Sequence, residues 1–313
     1  MSDNVVDLPV PATAKPKAVP AEAVGTKASR VKRRLTSRWA TFGALIIAVI
    51  WTIPTFGLLL SSFRPEELIR TTGWWTIFEN PGLTLANYQD VLLSSSSSSP
   101  QLGSYFVNSL AISIPATLFP LVLAAMAAYA FAWIKFPGRN FLFLMIVALQ
   151  IVPLQVTLVP LLTLFVKGHL TGTFWTLWLS HSTFALPLAI YLLHNFIKEV
   201  PATLIEAARV DGAGHVAIFF KVMLPLLTPA LAAFGIFQFL RVWNDLLVAL
   251  TFAGGGDAVA PITLQLANLS GTRGTAWQLL SAGAFVSIIV PVTVFLLLQR
   301  FFVRGLLAGS VKG

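Results

Sequence analysis

The side chains that could do chemistry in this chain are polar groups placed inside long apolar runs. Arg241 and Asp245 stand four residues apart among hydrophobic residues, and Asn244 precedes Asp245. A charge near the middle of a bilayer is costly unless it is paired or hydrated. Two interpretations are open. Either the pair neutralises itself while Asn244 bonds a neighbouring helix, or these groups line a pathway and meet a polar solute.

A second polar interruption lies about ninety residues earlier. Gln150 and Gln155 stand in an apolar run that also contains Pro153 and Pro160. Proline frees backbone carbonyls in a membrane helix, and such carbonyls are tolerated where they face protein or a water-filled cavity. The pattern predicts either a packing kink or a second wall of the same pathway.

Several classes of chemistry are excluded by composition. The chain has no cysteine and four scattered histidines without ligand spacing, so disulfides, thiol catalysis and a zinc or haem site are not expected. The pattern GxxxxGK[ST] is absent, so the chain has no phosphate-binding loop. The formal charge of +9 comes from bases that flank apolar runs and form no polar, aromatic-interleaved face, which argues against nucleic acid. We therefore expect no catalytic residue, no metal site and no cofactor bound by this chain.

The elements that position these groups are predicted to be membrane helices. Of 313 residues 56% are hydrophobic and 11% charged, and the mean hydropathy is +0.80, too apolar for a soluble domain. A helix needs roughly 20 apolar residues to cross a bilayer. Runs of that order occur at residues 39–60, 106–134, 141–166, 174–197, 226–253 and 277–299. We predict an all-α polytopic membrane protein with six transmembrane helices.

The distribution of lysine and arginine predicts the orientation. If the N-terminus is inside, 16 of the 21 lysines and arginines lie in inside segments, four lie outside and Arg241 lies in a span. Because cytoplasmic loops retain basic residues, both termini are predicted to be cytoplasmic. Residues 1–38 are basic, without helical period, and are expected to be a disordered tail against anionic lipid. Residues 39–313 then form the membrane domain.

One predicted inside loop, residues 198–225, is long enough to hold structure of its own. Pro201 can begin a short helix, residues 202–209 favour it, and Gly212 with Gly214 ends it. A second amphipathic stretch then runs to Pro225. We expect a compact knob on the cytoplasmic face, which is typical of a docking element.

The residue types in this loop suit insertion into a cleft of another protein. Ala207 and Ala208 have no bulk and no rotamer entropy to lose, and Glu206 can meet a cation at the rim. Gly212 permits positive φ, and Asp211 beside it can cap or pair, so the helix can leave the cleft at a fixed angle.

The spacing of the loop resembles the EAA loop of ABC-importer permeases. The match is Glu206-Ala207-Ala208, three residues, Gly212, nine residues, Val222, one residue and Leu224-Pro225, with valine where the family more often has isoleucine. The runs at 241–245 and 302–313 resemble the smaller permease subunit of carbohydrate importers of the maltose type. The resemblance covers residues 39–313, and over the whole of this sequence alpha-glucoside importers are the most similar.

The resemblance implies a permease subunit that forms half of the pathway of an ATP-driven sugar importer in a bacterial or archaeal cytoplasmic (inner) membrane. A disaccharide or oligosaccharide, alpha-glucosides included, would be the substrate. The implied partners are a second permease subunit, an ATP-binding subunit dimer that uses ATP and Mg²⁺, an extracytoplasmic sugar-binding protein and the lipid bilayer. The chain itself would not be an enzyme. The implied ATPase-coupling residues are Glu206, Ala207, Ala208, Asp211, Gly212, Leu224 and Pro225.

Two other functions compete with this interpretation. A secondary transporter driven by an ion gradient would use Arg241 and Asp245 as its coupling pair, but we detect no inverted repeat, and Asp245 is the only carboxylate in the predicted spans. A membrane scaffold would explain the knob but not the polar groups of the fifth span. Residues 254–276 open with three glycines and form either a hinged segment reaching toward the binding protein or a long connection.

Overall fold

The computed structural model describes residues 38–93, 102–271 and 277–310, and every regular element in them is a helix. The predicted basic tail up to residue 37, the serine run 94–99 and residues 311–313 lie outside the described residues. The chain divides into two compact units, residues 1–56 and 57–313. The described part of the first unit belongs to helix α1, and the sites discussed below lie in the second.

The helices follow one another with short connections. In chain order they are α1 (Arg38–Ser62), α2 (Glu66–Thr71), α3 (Ala86–Leu93), α4 (Leu102–Trp133), α5 (Arg139–Ala148), α6 (Leu154–Lys167), α7 (Phe174–Lys198), α8 (Ala202–Val210), α9 (His215–Ile218), α10 (Leu224–Trp243), α11 (Leu247–Phe252), α12 (Ile262–Gly271) and α13 (Trp277–Ser310). Short 3₁₀ turns occur at Trp74–Phe78, Leu149–Ile151 and Asp257–Val259.

Five helical stretches in the described residues are long and apolar enough to cross a membrane. They are Trp39–Ser62, Leu102–Trp133, Phe174–Lys198, His215–Trp243 and Trp277–Gln299. A sixth crossing exists only if the pair Arg139–Ile151 and Leu154–Lys167 counts as one span. The all-helical class is therefore confirmed, with five to six spans.

The predicted span at 141–166 is not one continuous helix: it consists of two helices bent by 105°, which form either a broken span or a re-entrant pair. Val152 and Pro153 are extended at the bend, with ψ of 119° and 131°. Proline has no N–H for the helix ladder and disfavours helical geometry in the residue before it. Pro160 lies inside α6 without breaking it.

The predicted fifth span, 226–253, is also corrected at both ends. The helical stretch begins at His215, includes the π-helical turn Phe219–Met223 and ends at Trp243. Asn244 and Asp245 therefore lie beyond the helix end, and Leu247–Phe252 is a separate short helix. The expected second amphipathic stretch of the knob is thus the first part of this long helix.

The core of the second unit is built on close packing of α4 against α7. The alanines that meet there are almost completely buried: Ala124, Ala125, Ala128, Ala185 and Ala189. Small residues let helix backbones approach closely, which is the main source of helix association where lipid replaces water. These alanines belong to the same buried cluster as Ile205, Ile218 and Phe219.

Candidate functional site

Helix α8 packs on the membrane helices through Ile205 and Ala208, while its other side chains are exposed. Ile205 is 1% exposed and packs in the cluster that contains Ile218 and Met223. Burial of an isoleucine side chain contributes about 2 kcal/mol. Glu206 and Ala207 are exposed, whereas Ala208, expected to enter a partner's cleft with Ala207, is half-buried against this chain's own cluster.

The turn after α8 has the geometry that the glycine predicts. Gly212 has φ of +80°, and a Cβ there would meet no atom within 4 Å, so backbone conformation alone favours glycine. The Gly212 N–H donates to the Arg209 carbonyl at 2.9 Å, and the Ala213 N–H donates to the Ala208 carbonyl at 2.9 Å. These two bonds form a Schellman motif, which ends the helix at a fixed angle.

A tyrosine that the sequence analysis missed connects this region to α4. The Tyr129 hydroxyl and His215 Nδ1 share a hydrogen bond of 3.1 Å, and the Tyr129 ring meets the Phe219 ring edge-on at 5.4 Å. Tyr129 lies 86 residues before His215 in the chain, so no local spacing could have paired them.

The second candidate site is a cleft of about 680 Å³ beside the bend between α5 and α6. Its walls are apolar, with Pro153, Phe184 and Pro187 among them. The polar side chains that line it are those of Gln150, Thr157, Thr183 and Arg241. The structure therefore brings together two predicted pathway residues, Gln150 and Arg241, that are distant in sequence.

The other three predicted pathway residues do not line this cleft. Gln155 is exposed on α6 and is absent from the lining. The Asn244 side chain donates to the Leu240 carbonyl at 2.8 Å, so it bonds its own helix, and the expectation that it bonds a neighbouring helix is wrong. The Leu240 carbonyl also accepts the backbone N–H of Asn244 at 3.1 Å, so the main chain and the side chain of Asn244 bond the same acceptor.

Asp245 has a structural task at the start of α11. Its Oδ2 accepts the N–H groups of Val248 at 3.0 Å and Ala249 at 3.2 Å. Its backbone carbonyl accepts the Thr263 hydroxyl at 2.6 Å. The carboxylate Oδ2 also lies 3.9 Å from Nε2 of His181.

The lining of the cleft carries a positive charge, and the carboxylate of Asp245 interacts with it electrostatically from outside the lining. Arg241 is the charged residue among its lining, and the carboxylate of Asp245 lies in a different, small void with His181 and Ser109. A cavity with apolar walls, hydroxyls, an amide and a guanidinium suits a neutral polyhydroxylated solute or an anion, and it does not suit a cation. Thr157 and Thr183 were missed because threonine in an apolar run commonly bonds its own helix, as the Thr157 hydroxyl does to the Leu154 carbonyl.

A family model matches residues 120–307 of the chain, and its description is "Binding-protein-dependent transport system inner membrane component". The matched region includes α8, the Gly212 turn and the cleft residues.

Two relatives extend the similarity over most of the chain. The osmoprotective compounds uptake permease protein GgtD of Synechocystis sp. is 55% identical over 86% of this chain and 90% of its own length. The alpha-glucoside transport system permease protein AglG of Rhizobium meliloti is 37% identical over 90% of this chain and 99% of its own length. A solved bacterial ABC transporter that imports alginate shares the fold, with a TM-score of 0.65 and 18% identity over 85% of this chain and 98% of that one.

Proposed function

The chain belongs to the family of binding-protein-dependent transport system inner membrane components, and we propose that it couples the import of a neutral polyhydroxylated solute to a separate ATPase. Members of this family are non-catalytic, multi-pass permeases of the inner membrane. The proposal assigns the coupling to α8 and the Gly212 turn, and part of the solute pathway to the cleft.

The observation that supports the proposal is the way in which α8 is attached to the membrane helices. A short helix with an exposed Ala207 is fastened to the membrane helices by Ile205 and ended by a rigid turn at Gly212. Exposed small residues on a rigid helix leave room for the walls of a groove in a partner. Force applied to such a helix reaches the buried cluster below it, because Ile205 belongs to that cluster.

The substrate is proposed from the relatives and the cleft together. One relative is named for osmoprotective compounds and another for alpha-glucosides. A solute rich in hydroxyl groups can bond Gln150, Thr157 and Thr183 while an apolar face of its ring meets Phe184. Competition of labelled-solute uptake by an osmoprotectant and by an alpha-glucoside, in cells that carry the complete transporter, distinguishes the two classes.

The partners are proposed on the same basis. A second permease subunit supplies the facing half of the pathway, an ATP-binding subunit dimer receives α8, and an extracytoplasmic binding protein delivers the solute. We propose that the pathway opens outward when the ATPase subunits close and inward when they separate, with Mg²⁺ and ATP bound by the partner. Both termini and α8 are then cytoplasmic.

The substitution Ala207→Trp tests the coupling role. An indole in place of a methyl group fills the space that the groove needs, while the exposed position keeps the membrane helices intact. We expect loss of ATPase co-purification and loss of solute-stimulated ATP hydrolysis in reconstituted vesicles, with an unchanged elution profile of the permease pair.

The matched control is Ala207→Ser, which is small and polar and should retain both activities. Wild-type co-purification and wild-type stimulated hydrolysis in Ala207→Trp would contradict the proposal.

A further inference from the structure

The last residues of the EAA pattern lie apart from its first residues. Leu224 and Pro225 belong to the long helix that begins at His215 and ends at Trp243. Pro225 is ten residues beyond His215, which is about 15 Å along a helix. Glu206 and Ala207, by contrast, lie on the separate helix α8. One sequence pattern therefore marks two different structural elements.

The helix widens immediately before Pro225. In the turn Phe219–Met223 the Leu224 N–H donates to the Phe219 carbonyl, five residues back instead of four. Pro225 has no N–H for the Lys221 carbonyl, and its ring would press on that carbonyl in a regular α-helix. An extra residue in the turn relieves this conflict, and such π turns are frequent at functional positions.

Proline alone does not produce the widened turn. Pro229 lies one turn further along, inside regular α-helix. Burial does not distinguish the two prolines, because Met223 and Leu227, each two residues before a proline, are both 0% exposed in the cluster that holds Ile205. What differs at the first proline is the ring packing of Phe219, which lies against Tyr129 and Phe220.

The π turn also determines which side chains of the helix beyond it point toward the cleft. One extra residue rotates everything beyond it by about 100°. At its far end this helix carries Arg241 into the cleft, while at its near end Ile218 and Phe219 are held in the core and His215 is bonded to Tyr129. The π turn thus sets the angle between the anchored end and the cleft end.

We propose that the EAA pattern has two separate tasks, docking by residues 206–212 and transmission by Val222, Leu224 and Pro225, which maintain the π turn. In this assignment Pro225 is a positioning residue that does not contact the ATPase. It maintains the rotation of the helix beyond the π turn, so that movement of α8 is transmitted to Arg241. The inference rests on the proposed function, and it separates residues that the family pattern groups together.

The test is Pro225→Ala in the complete transporter, with Pro229→Ala as the matched control. Alanine restores the N–H, so a regular α-helix competes with the π turn. We expect unchanged ATPase co-purification and a fall in solute transported per ATP hydrolysed of about 2-fold to 30-fold, the range for changes in coupling networks. Pro229→Ala should retain the wild-type ratio.

A second variant removes the extra residue directly. Deletion of Lys221, an exposed residue of the π turn, in the Pro225→Ala chain lets a regular α-helix carry Arg241 at its original angle, so the ratio should recover, whereas Lys221→Ala in the same chain should not restore it. The chain has no native cysteine. Leu204→Cys and Thr228→Cys together therefore allow two spin labels to be attached, one on each side of the π turn. We expect the label distance to change in Pro225→Ala and to stay unchanged in Pro229→Ala.

The outcomes separate this inference from the proposed function. A wild-type transport ratio in Pro225→Ala, or loss of ATPase binding by that variant, would overturn the division of tasks while leaving the docking role of Ala207 intact. Failure of the unchanged chain to bind an ATPase subunit would overturn the proposed function itself.

Discussion

At the scale of single residues, Asp245 shows how a charged group can be required without touching a solute. Its carboxylate accepts two backbone N–H groups at the start of α11. In a bilayer such N–H groups have no water to bond, so an unsatisfied pair is expensive. The residue therefore has a structural explanation that is independent of the pathway, and its absence from the lining of the cleft agrees with that explanation.

Two substitutions of Asp245 distinguish the role of its acceptor oxygen from the role of its negative charge. Asp245→Ala removes the acceptor and should lower stability by about 1–2 kcal/mol, comparable to the loss of an N-cap side chain, because Asp245 bonds the first N–H groups of α11 although it precedes the N-cap residue Leu246. Asp245→Asn keeps an acceptor oxygen and should retain most of the stability and most of the uptake. Thermal unfolding in detergent, together with solute uptake in vesicles, measures both quantities.

A different result would indicate that Asp245 acts in the solute pathway. If Asp245→Asn is as stable as the wild type but loses uptake, the charge itself acts on the solute or on Arg241. Restoration of uptake by Arg241→Gln in the same chain would then identify mutual neutralisation as the reason.

At the scale of elements, the bend between α5 and α6 is the feature that makes the cleft. The two helices meet at 105°, and Gln150 and Pro153 at the bend both line the cavity. The ring of Phe143 in α5 lies tilted by 39° against that of His194 in α7, with ring centroids 4.1 Å apart, and Phe143 packs against the cluster that holds Ile205. The bend is thus connected through packed side chains to the region under α8.

Removal of the proline at the bend should impair transport. Pro153→Ala restores an N–H and lets Val152 adopt helical geometry, so the pair of helices can straighten and the cleft loses its shape. We expect uptake to fall several-fold while ATPase co-purification persists. The measurement is initial uptake rate in vesicles at equal amounts of assembled complex.

Pro160→Ala is the control for this variant, because Pro160 also lines the cleft but lies within unbroken α6. Equal loss of uptake in both variants would mean that the prolines act as cleft surface and that the bend is not the cause.

At the scale of the whole molecule, the number of crossings decides which surface faces the cytoplasm. If α5 and α6 together cross once, the chain has six spans and α8 lies on the same side as the N-terminus. If the bent pair returns to its starting side, the chain has five spans and α8 lies on the opposite side. The second arrangement would also move Lys198, Arg209 and Lys221 outside, against the preference of basic residues for the cytoplasm.

The six-span arrangement predicts specific accessibilities. A reporter fused after Gly313 should be cytoplasmic, and a reporter inserted in the serine run 94–99 should be outside. A single cysteine at Thr171, which is exposed in the connection after α6, should react with a membrane-impermeant thiol reagent added from outside.

Labelling of that cysteine only after the membrane is opened would indicate a re-entrant pair and five spans. It would place α8 outside the cell, and the proposed coupling to a cytoplasmic ATPase would then fail. The absence of native cysteine makes this single-site labelling unambiguous.

Much of the fold and one of the two sites could be predicted from sequence because their signals are local. Hydropathy over about 20 residues locates a membrane helix. The short helix of the knob and the positive φ of Gly212 follow from residue types within a dozen positions. The family follows from the same segment, because its pattern is complete within 20 residues of sequence.

Tertiary structure decided everything that depends on contacts between distant residues. Gln150 and Arg241 meet in one cleft, whereas Gln155 does not join them, because the face of α6 that lines the cleft is the one with Leu154, Thr157 and Leu161. The π turn before Pro225 depends on a core that includes Tyr129, almost a hundred residues earlier. Apolar residues in a membrane protein suit contact with lipid and with the protein interior equally well. Hydropathy therefore locates each helix, but packing determines which helices it contacts and in which direction it runs.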